Sequence, residues 1–343
     1  MVEHIPVFFE GQDDLIDILA TSMCSICYNT KSFIDFYILD CGIHEFNKKQ
    51  LESLKEKFNN FSIKYIPIDL KQFDGLKGYR KENFLDCYSR LLIPEVAPEL
   101  DKAIYLDTDT IALRDIKLFW DEDLENKSIG AVPDLGFRKS IQKRFVNKLG
   151  GNDKQIFLNG GLFVVDCKKW REQNITKKLL NLAKEKKDNI ELIIEDLFSL
   201  FCTEDYKLLN SRYGFIETDN CADYIPSVKI TKEYLDSEWK QVAIIHFAGS
   251  NKVWNRCIND FTHKTIGFFD TFWFFAKMTP FYDGMKLRFL DSISTKHKMS
   301  FAYCLKLFNK IPLFTIRFKN NRYTFRLFNL ISLFSFEKKK KGN

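Results

Sequence analysis

An α/β fold with a mostly parallel, Rossmann-like sheet flanked by helices is what this sequence predicts, on three observations. Short β-type runs alternate with helical patterns over the first 110 residues, as in successive βαβ units. The apolar run Ala-Ile-Tyr-Leu ends on Asp107 and Asp109, two carboxylates that leave a strand end together. The chain has 343 residues, enough for one large α/β domain and an appendage.

The elements follow in order. Residues 5–9, Ile-Pro-Val-Phe-Phe, form the first strand, closed by a turn from Glu10 to Asp14. Residues 15–28 are a helix with Asp13 or Asp14 near its start. Residues 33–39 make the second strand, 45–58 an amphipathic helix and 63–68 the third strand. The stretch 83–93 is helical and stops near Pro94. Residues 103–106 are the strand that delivers the aspartates, and 129–132 and 162–165 are further strands. Residues 168–186 read as one charged surface helix and 243–247 as a late strand. No internal repeat is visible.

Charge divides the chain. From residue 286 onward there are 14 Lys/Arg against Asp291 and Glu337, so the tail carries +12 and the rest −6. We therefore place one domain over 1–285 and a basic, aromatic appendage over 286–343. Nine cysteines without a framework fit a reducing cytoplasm. The one CxxC, Cys24 and Cys27, has helical surroundings and reads as a core helix face. No basic region followed by an apolar run opens the chain, so no signal peptide is expected. No apolar stretch reaches about 18 residues, so no spanning helix is expected.

Asp107 and Asp109 form a hard, all-oxygen group at a strand end, the side of an open α/β sheet where ligands bind. Such a group suits Mg²⁺ or Mn²⁺, and that cation suits a diphosphate; the plainer reading is an acidic loop. A second Asp-x-Asp, Asp121 to Asp123, follows Trp120 and reads as a solvated turn. Gly11 lets the backbone pass close to a flat ligand, and an aspartate in the turn that follows holds a base or ribose; a plain capped turn is the other reading. Asn159 before Gly160 and Gly161 reads either as a pocket wall with room for a sugar or as a β-turn. His246 at a strand end is a candidate third metal ligand, with Gly249 and Lys252 suited to phosphate oxygens. Arg90 and Asp134 are isolated charges in apolar settings, otherwise ordinary ion-pair residues.

Taken in order, Ile-Pro-Val-Phe-Phe with Asp13-Asp14, Tyr-Ser-Arg-Leu-Leu-Ile-Pro, Ala-Ile-Tyr-Leu-Asp-Thr-Asp-Thr-Ile, Phe-Leu-Asn-Gly-Gly with Lys-Lys-Trp-Arg, and His-Phe-Ala-Gly-Ser-Asn-Lys-Val-Trp point to one family. Over about residues 5–256 the chain resembles glycosyltransferase family 8, especially bacterial lipooligosaccharide and lipopolysaccharide α-galactosyl- and α-glucosyltransferases. The resemblance implies a GT-A fold, a UDP-sugar donor, Mn²⁺ or Mg²⁺, and retention of anomeric configuration. It implies that Asp107, Asp109 and His246 hold the metal and that Gly249 and Lys252 contact the diphosphate. Glu10, Gly11 and Asp14 then face uridine, and Thr108 lies in the nucleotide-sugar site. Arg90, Asp134 and Asn159 surround the donor sugar.

One segment departs from the family. Where it usually has Asp-Gln-Asp and an apolar residue, this chain has Ile194-Glu195-Asp196-Leu197. In the family that glutamine lies near the reactive sugar carbon. Glu195 is then a candidate nucleophile for a double displacement or a stabiliser of an oxocarbenium-like state, with Asp134 and Asn159 the other catalytic candidates. It equally fits an altered donor choice or weak activity. Gln12 also stands where an aspartate is common.

In the tail, residues 316–327 alternate strictly apart from Asn320-Asn321. They read as a hairpin with Ile316, Phe318, Tyr323 and Phe325 on one face and cations on the other. Residues 338–341 are all lysine. Such a surface suits an anionic membrane; a solvated, weakly ordered tail is the plainer alternative and nucleic acid the weaker one. The sequence thus predicts a cytoplasmic, metal-dependent retaining hexosyltransferase, peripheral on the inner face of the cell membrane. It would move galactose or glucose from a UDP-sugar to a glycan or glycolipid of the cell envelope. The rival readings are a nucleotidyltransferase on a similar sheet and a degenerate transferase serving as a membrane-bound scaffold. The acidic turn at Glu10 to Asp14 counts against the first, and intact Asp107, Asp109, His246 and Lys252 against the second.

Overall fold

A computed structural model describes residues 2–79, 84–135, 139–152, 156–202, 205–216, 232–249, 252–255, 266–297, 301–307, 311–319, 322–327 and 331–337. The chain divides into two compact units, residues 1–250 with 265–282, and residues 251–264 with 283–343.

The first unit is built on a seven-stranded sheet. Its elements begin β1 (His4–Gly11), α1 (Ile16–Asn29), β2 (Phe33–Asp40), α2 (Glu45–Glu52) and β3 (Phe61–Pro67). A 3₁₀ segment, Asp86–Leu92, leads into the short α3 (Ile93–Val96), then β4 (Lys102–Leu106), β5 (Thr110–Ala112) and α4 (Lys117–Trp120). After these come β6 (Ile129–Pro133), α5 (Lys139–Arg144), β7 (Leu158–Asp166), α6 (Cys167–Gln173), α7 (Ile175–Glu185), α8 (Ile193–Phe201) and β8 (Tyr206–Leu208). The unit closes with α9 (Lys232–Trp239), β9 (Ile244–His246) and α10 (Ile266–Ala276).

The strand order is β3-β2-β1-β4-β7-β6-β8. β3, β2, β1 and β4 run parallel, β7 runs against both β4 and β6, and β8 is parallel to β6. The expected mostly parallel α/β sheet is therefore present, with one reversed strand. That reversal matters, because it brings the first residues of β7 to the edge where β1, β4 and β6 end. β5 and β9 form a separate two-stranded ladder, with Thr110 opposite His246.

Apolar residues bury both faces of β1 and β4, including Phe8, Phe9, Ile104 and Tyr105. α1 lies against the sheet and carries buried Cys24 and Cys27, so the CxxC is core; burial pushes the Cys24 thiol up to about 12. The far end of α1 meets α10 through Tyr28, whose ring lies 5.7 Å from those of Phe274 and Phe275.

Three predicted helices differ. The one expected over 45–58 is α-helical only to Glu52 and passes into a 3₁₀ turn, Ser53–Glu56. Residues 86–92 are 3₁₀ rather than α, and Pro94 sits in the first turn of α3 instead of ending a helix. Arg90 Nε takes the Cys87 carbonyl at 3.0 Å, which competes with an α-type bond to that oxygen. The single surface helix at 168–186 is two, α6 and α7, parted at Asn174. That residue is left-handed (φ 54°, ψ 41°), a conformation asparagine tolerates.

The second unit contains α11 (Tyr282–His297, from its second residue) and an antiparallel sheet of β10 (Phe301–Leu307), β11 (Ile311–Lys319), β12 (Arg322–Leu327) and β13 (Ile331–Glu337), in that order. The predicted hairpin is β11–β12, with Ile316 paired to Phe325 and Phe318 to Tyr323. It is two strands of a four-stranded sheet. The predicted turn at Asn320-Asn321, the helix start at Asn83 and the lysines at 338–341 lie outside the described residues. Among the described residues, no helix is long and apolar enough to cross a membrane.

Candidate active site

Three strand ends and the start of the reversed strand converge on one edge of the sheet. β1 ends at Glu10 and Gly11, β4 hands on to Asp107, and β6 hands on to Asp134. β7 brings Asn159, Gly160 and Gly161 alongside: the Asp107 N–H donates to the Gly161 carbonyl at 2.7 Å, and the Asp134 N–H to that of Phe157 at 2.8 Å.

The centre is Asp107, Asp109 and His246, with one ligand atom from each within 4.8 Å of the others. His246 turns Nε2 to Asp109 Oδ1 at 3.1 Å and to Asp107 Oδ2 at 3.6 Å. The backbone supports this meeting, since the Phe247 N–H donates to the Asp109 carbonyl at 2.9 Å. Among the described residues, Nδ1 of the buried ring has no hydrogen-bond partner. Burial opposes an imidazolium here, but Asp109 and Asp107 outweigh it and push His246 up to about 9. Burial likewise opposes the Asp107 charge, yet Arg90 and His246 hold its carboxyl well below the usual carboxylate range.

Two carboxylates and one imidazole nitrogen facing each other fit a divalent cation that accepts oxygen and nitrogen. The cradle is shaped for the group. A Cβ on Gly161 would come within 2.8 Å of both Asp107 Cγ and His246 Cε1.

Arg90 is the hub beside this group. Its Nη1 donates to Gly160 O at 2.8 Å and pairs with Asp107 Oδ1 at 2.9 Å. Its guanidinium lies over the Tyr105 ring, 4.5 Å from the centroid. Nη2 reaches Glu10 Oε2 at 3.4 Å, and Gln12 donates to Glu10 Oε1 at 2.7 Å. Burial pushes Glu10 up to about 8; Arg90 pulls against that, and Asp86 and Asp107 reinforce it.

Glu195 stands in the first turn of α8, half-buried. Burial, and then repulsion from Asp134, push it up to about 7. Asn159 is buried, and its side-chain oxygen accepts from the Gly161 N–H at 2.8 Å, so that oxygen is held by its own strand. Thr108 is buried between the two aspartates.

The glycines act differently from the expectation. The space expected for a sugar at Gly160 is filled by Ile194 Cγ2, 2.6 Å from where a Cβ would stand. Gly161 yields its space to Asp107 and His246. At Gly11 the room belongs to Ile38 and Ile43, both within 2.6 Å of an added Cβ, so packing is what requires glycine there. Gly249 is set by its backbone (φ +84°), with nothing within 4 Å of an added Cβ. Asp14 is exposed in the turn after β1, whereas Asp13 accepts from the His44 N–H at 2.8 Å and Asn47 at 2.9 Å. Lys252 belongs to the second unit, its ammonium 5.8 Å from the Trp254 centroid.

Sequence reasoning missed two participants. Tyr105 donates its hydroxyl to Asp107 Oδ1 at 2.9 Å. It lies two residues before Asp107 on one strand face, so the period-two rule was the signal. Arg144 makes two bonds to Asp196, at 2.9 and 2.7 Å, and the N–H groups of Glu191 and Leu192 add two more at 2.8 and 3.0 Å. This buried pair anchors the α8 turn that carries Glu195, and no local pattern announced it.

A mostly parallel α/β sheet with paired aspartates and a histidine at its ligand edge is the architecture of GT-A glycosyltransferases, and solved structures of that class share the fold. The chain belongs to glycosyl transferase family 8, whose model matches residues 6–257. General stress protein A of Bacillus subtilis is 28% identical over 231 residues, 65% of this chain and 77% of that one. Glycosyltransferase GlyF of Streptococcus pneumoniae is 27% identical over 242 residues, 69% of this chain and 54% of that one. The galactosyltransferase LgtC, solved with donor and acceptor sugar analogues, has a TM-score of 0.69 at 24% identity, covering 82% of this chain and 100% of LgtC. An LgtC structure carrying a glutamine-to-glutamate change in its active site has a TM-score of 0.66 at 25% identity, covering 78% of this chain and 95% of that one. The bifunctional glycosyltransferase WbbM has a TM-score of 0.67 at 22% identity; the chain spans about half of it, 52%.

Proposed function

We propose that this glycosyltransferase is a metal-dependent, retaining hexosyltransferase. It moves galactose or glucose from a UDP-sugar to a glycan or glycolipid acceptor in cell-envelope polysaccharide synthesis. The observation that carries the reading is the convergence of Asp107, Asp109 and His246 at the carboxyl end of β4.

Those three residues would hold Mn²⁺ or Mg²⁺. The cation would supply Lewis-acid neutralisation of the departing diphosphate. The remaining work belongs to the chain. Glu10, Gly11, Asp14 and Thr108 are assigned to the nucleoside side of the donor. Gly249 and Lys252 are assigned to the diphosphate. Asp134 is assigned to the donor sugar, Asn159 to the strand that backs it, and Arg90, first expected at the sugar, to the Asp107 carboxylate that it holds. Glu195 is assigned to the reacting sugar carbon, where an ionised carboxylate either attacks or steadies the positive charge. Ile194, the other departure, is explained by packing into the gap at Gly160.

Residues 286–343 are assigned to an anionic membrane surface, through 14 cations interleaved with aromatics. The enzyme would then work in the cytoplasm on the inner face of the membrane.

The test is UDP release from a panel of UDP-sugars, with and without Mn²⁺. Release from one sugar that requires the cation supports the reading and names the donor. Release that ignores the cation, or none with any sugar and acceptor, overturns it.

A further inference from the structure

We propose that Glu10 is a positioning residue for the cation-binding carboxylate of Asp107, acting through Arg90 and held by Gln12. This rests on the cation site of the function proposed above and assigns Glu10 a role other than contact with the nucleoside.

Geometry carries the inference. Arg90 is buried and spends its donors in a fixed pattern. Nε goes to Cys87 O, and Nη1 is shared between Gly160 O and Asp107 Oδ1. Nη2 goes to Glu10 Oε2, and Glu10 Oε1 accepts from Gln12. A guanidinium is a rigid fork, so fixing Nη2 fixes the direction of Nη1. A line of contacts therefore runs Gln12–Glu10–Arg90–Asp107, from the turn after β1 to the carboxylate that follows β4.

The outer end of that line bears on the cation. Arg90 and Tyr105 both hold Oδ1 of Asp107, which leaves Oδ2 turned toward His246. Groups that orient a ligating carboxylate typically change metal affinity about 10–100-fold when removed. Without Glu10, the fork keeps its bonds at Nε and Nη1 but loses the contact on its Nη2 side, and the carboxylate loses part of its fixed aim.

Charge alone offers a rival account, because an ionised Glu10 would add a negative charge beside Asp107. Two variants separate the accounts. Glu10→Asp keeps the carboxylate but is one methylene too short for a contact that already spans 3.4 Å. Gln12→Ala removes no charge at all.

The full-length, metal-free protein is titrated with Mn²⁺ alone, free Mn²⁺ is read by electron paramagnetic resonance, and the thermal transition is recorded alongside. We expect Glu10→Asp and Glu10→Ala to raise the Mn²⁺ Kd about tenfold. Gln12→Ala should raise it by a smaller factor in the same direction. An unchanged Kd in either Glu10→Asp or Gln12→Ala overturns the proposal, whatever the thermal transition does. If Glu10→Ala does not fold, the other two variants decide. Absence of Mn²⁺ binding by the wild-type protein at millimolar concentration overturns the functional reading, and this inference with it. Tight wild-type binding with unaltered variants overturns this inference alone.

Discussion

Gly161 and Asp107 share one space. The Asp107 N–H donates to the Gly161 carbonyl at 2.7 Å, and a methyl group on Gly161 would come within 2.8 Å of the Asp107 carboxyl carbon. The same methyl group would stand 2.8 Å from His246 Cε1. Gly161→Ala should therefore push two of the three candidate cation ligands apart. We expect a stability loss of about 1–3 kcal/mol, typical of overpacking, and a clear rise in the Mn²⁺ Kd. Urea unfolding and Mn²⁺ titration read the two effects, and a variant that binds Mn²⁺ like the wild type would refute the shared space.

Asp109 is the nearer carboxylate to His246, at 3.1 Å against 3.6 Å for Asp107. Asp109→Asn keeps the shape and removes the charge that most favours the imidazolium. Metal-dependent turnover should be lost while the thermal transition stays close to that of the wild type. A fully active variant would sink the metal assignment.

Glu195 gives a pH signature. Its carboxyl titrates near 4.5 in an open chain and about 7 in the fold. Between those values the folded state holds a proton that the unfolded state has released. The associated stability is whole below about pH 4.5 and is lost as pH rises through about 7. Glu10, pushed up to about 8, adds a loss of the same sign, so the comparison must be between proteins that both keep it. Glu195→Gln cannot ionise, and its Tm should fall less than that of the wild type from about pH 5 to about pH 7.5. Parallel Tm curves would remove the raised carboxyl. In turnover, loss by several orders of magnitude favours a nucleophile, and partial activity favours an orienting group.

Arg144 and Asp196 form a buried ion pair, with Asp196 fully enclosed. Removing one partner of such a pair strands the other charge, at about 3–5 kcal/mol. Arg144→Ala should approach that cost in urea unfolding. A loss below about 1 kcal/mol would mean that the two backbone N–H groups on Asp196 suffice alone.

How much of this was legible follows from the range of each interaction. β1 and β4 could be read because alternation, β-branching and the terminal aspartates are local properties. The metal-ligand candidates could be read because each stands at the end of such a run. The role of Gly160 and Gly161 could not, since the atoms that fill their space come from Ile194 and His246, far along the chain. The break at Asn174 was hidden because the charges on both sides continue a helical pattern, and only a left-handed residue interrupts it. At 86–92 the Arg90 side chain occupies the Cys87 carbonyl while Gly160 and Asp107, distant in sequence, hold its other end, so the 3₁₀ turn had no local pattern to announce it.

The appendage supplies the last prediction. Residues 298–343 hold eleven of the tail's fourteen cations and all of β10 to β13, while α11 ends before them at His297. Each basic residue near an anionic surface is worth about 1 kcal/mol, and salt screens that attraction over about 10 Å at 0.1 M. The full chain should sediment with vesicles containing phosphatidylserine, less so as salt rises, and weakly with neutral vesicles. A chain ending at residue 297 should stay in solution yet retain turnover of a soluble acceptor, because every cation-binding candidate lies in the first unit. Vesicle binding that survives the truncation, or that ignores salt, would remove the tail from the membrane and leave the search to the body of the protein.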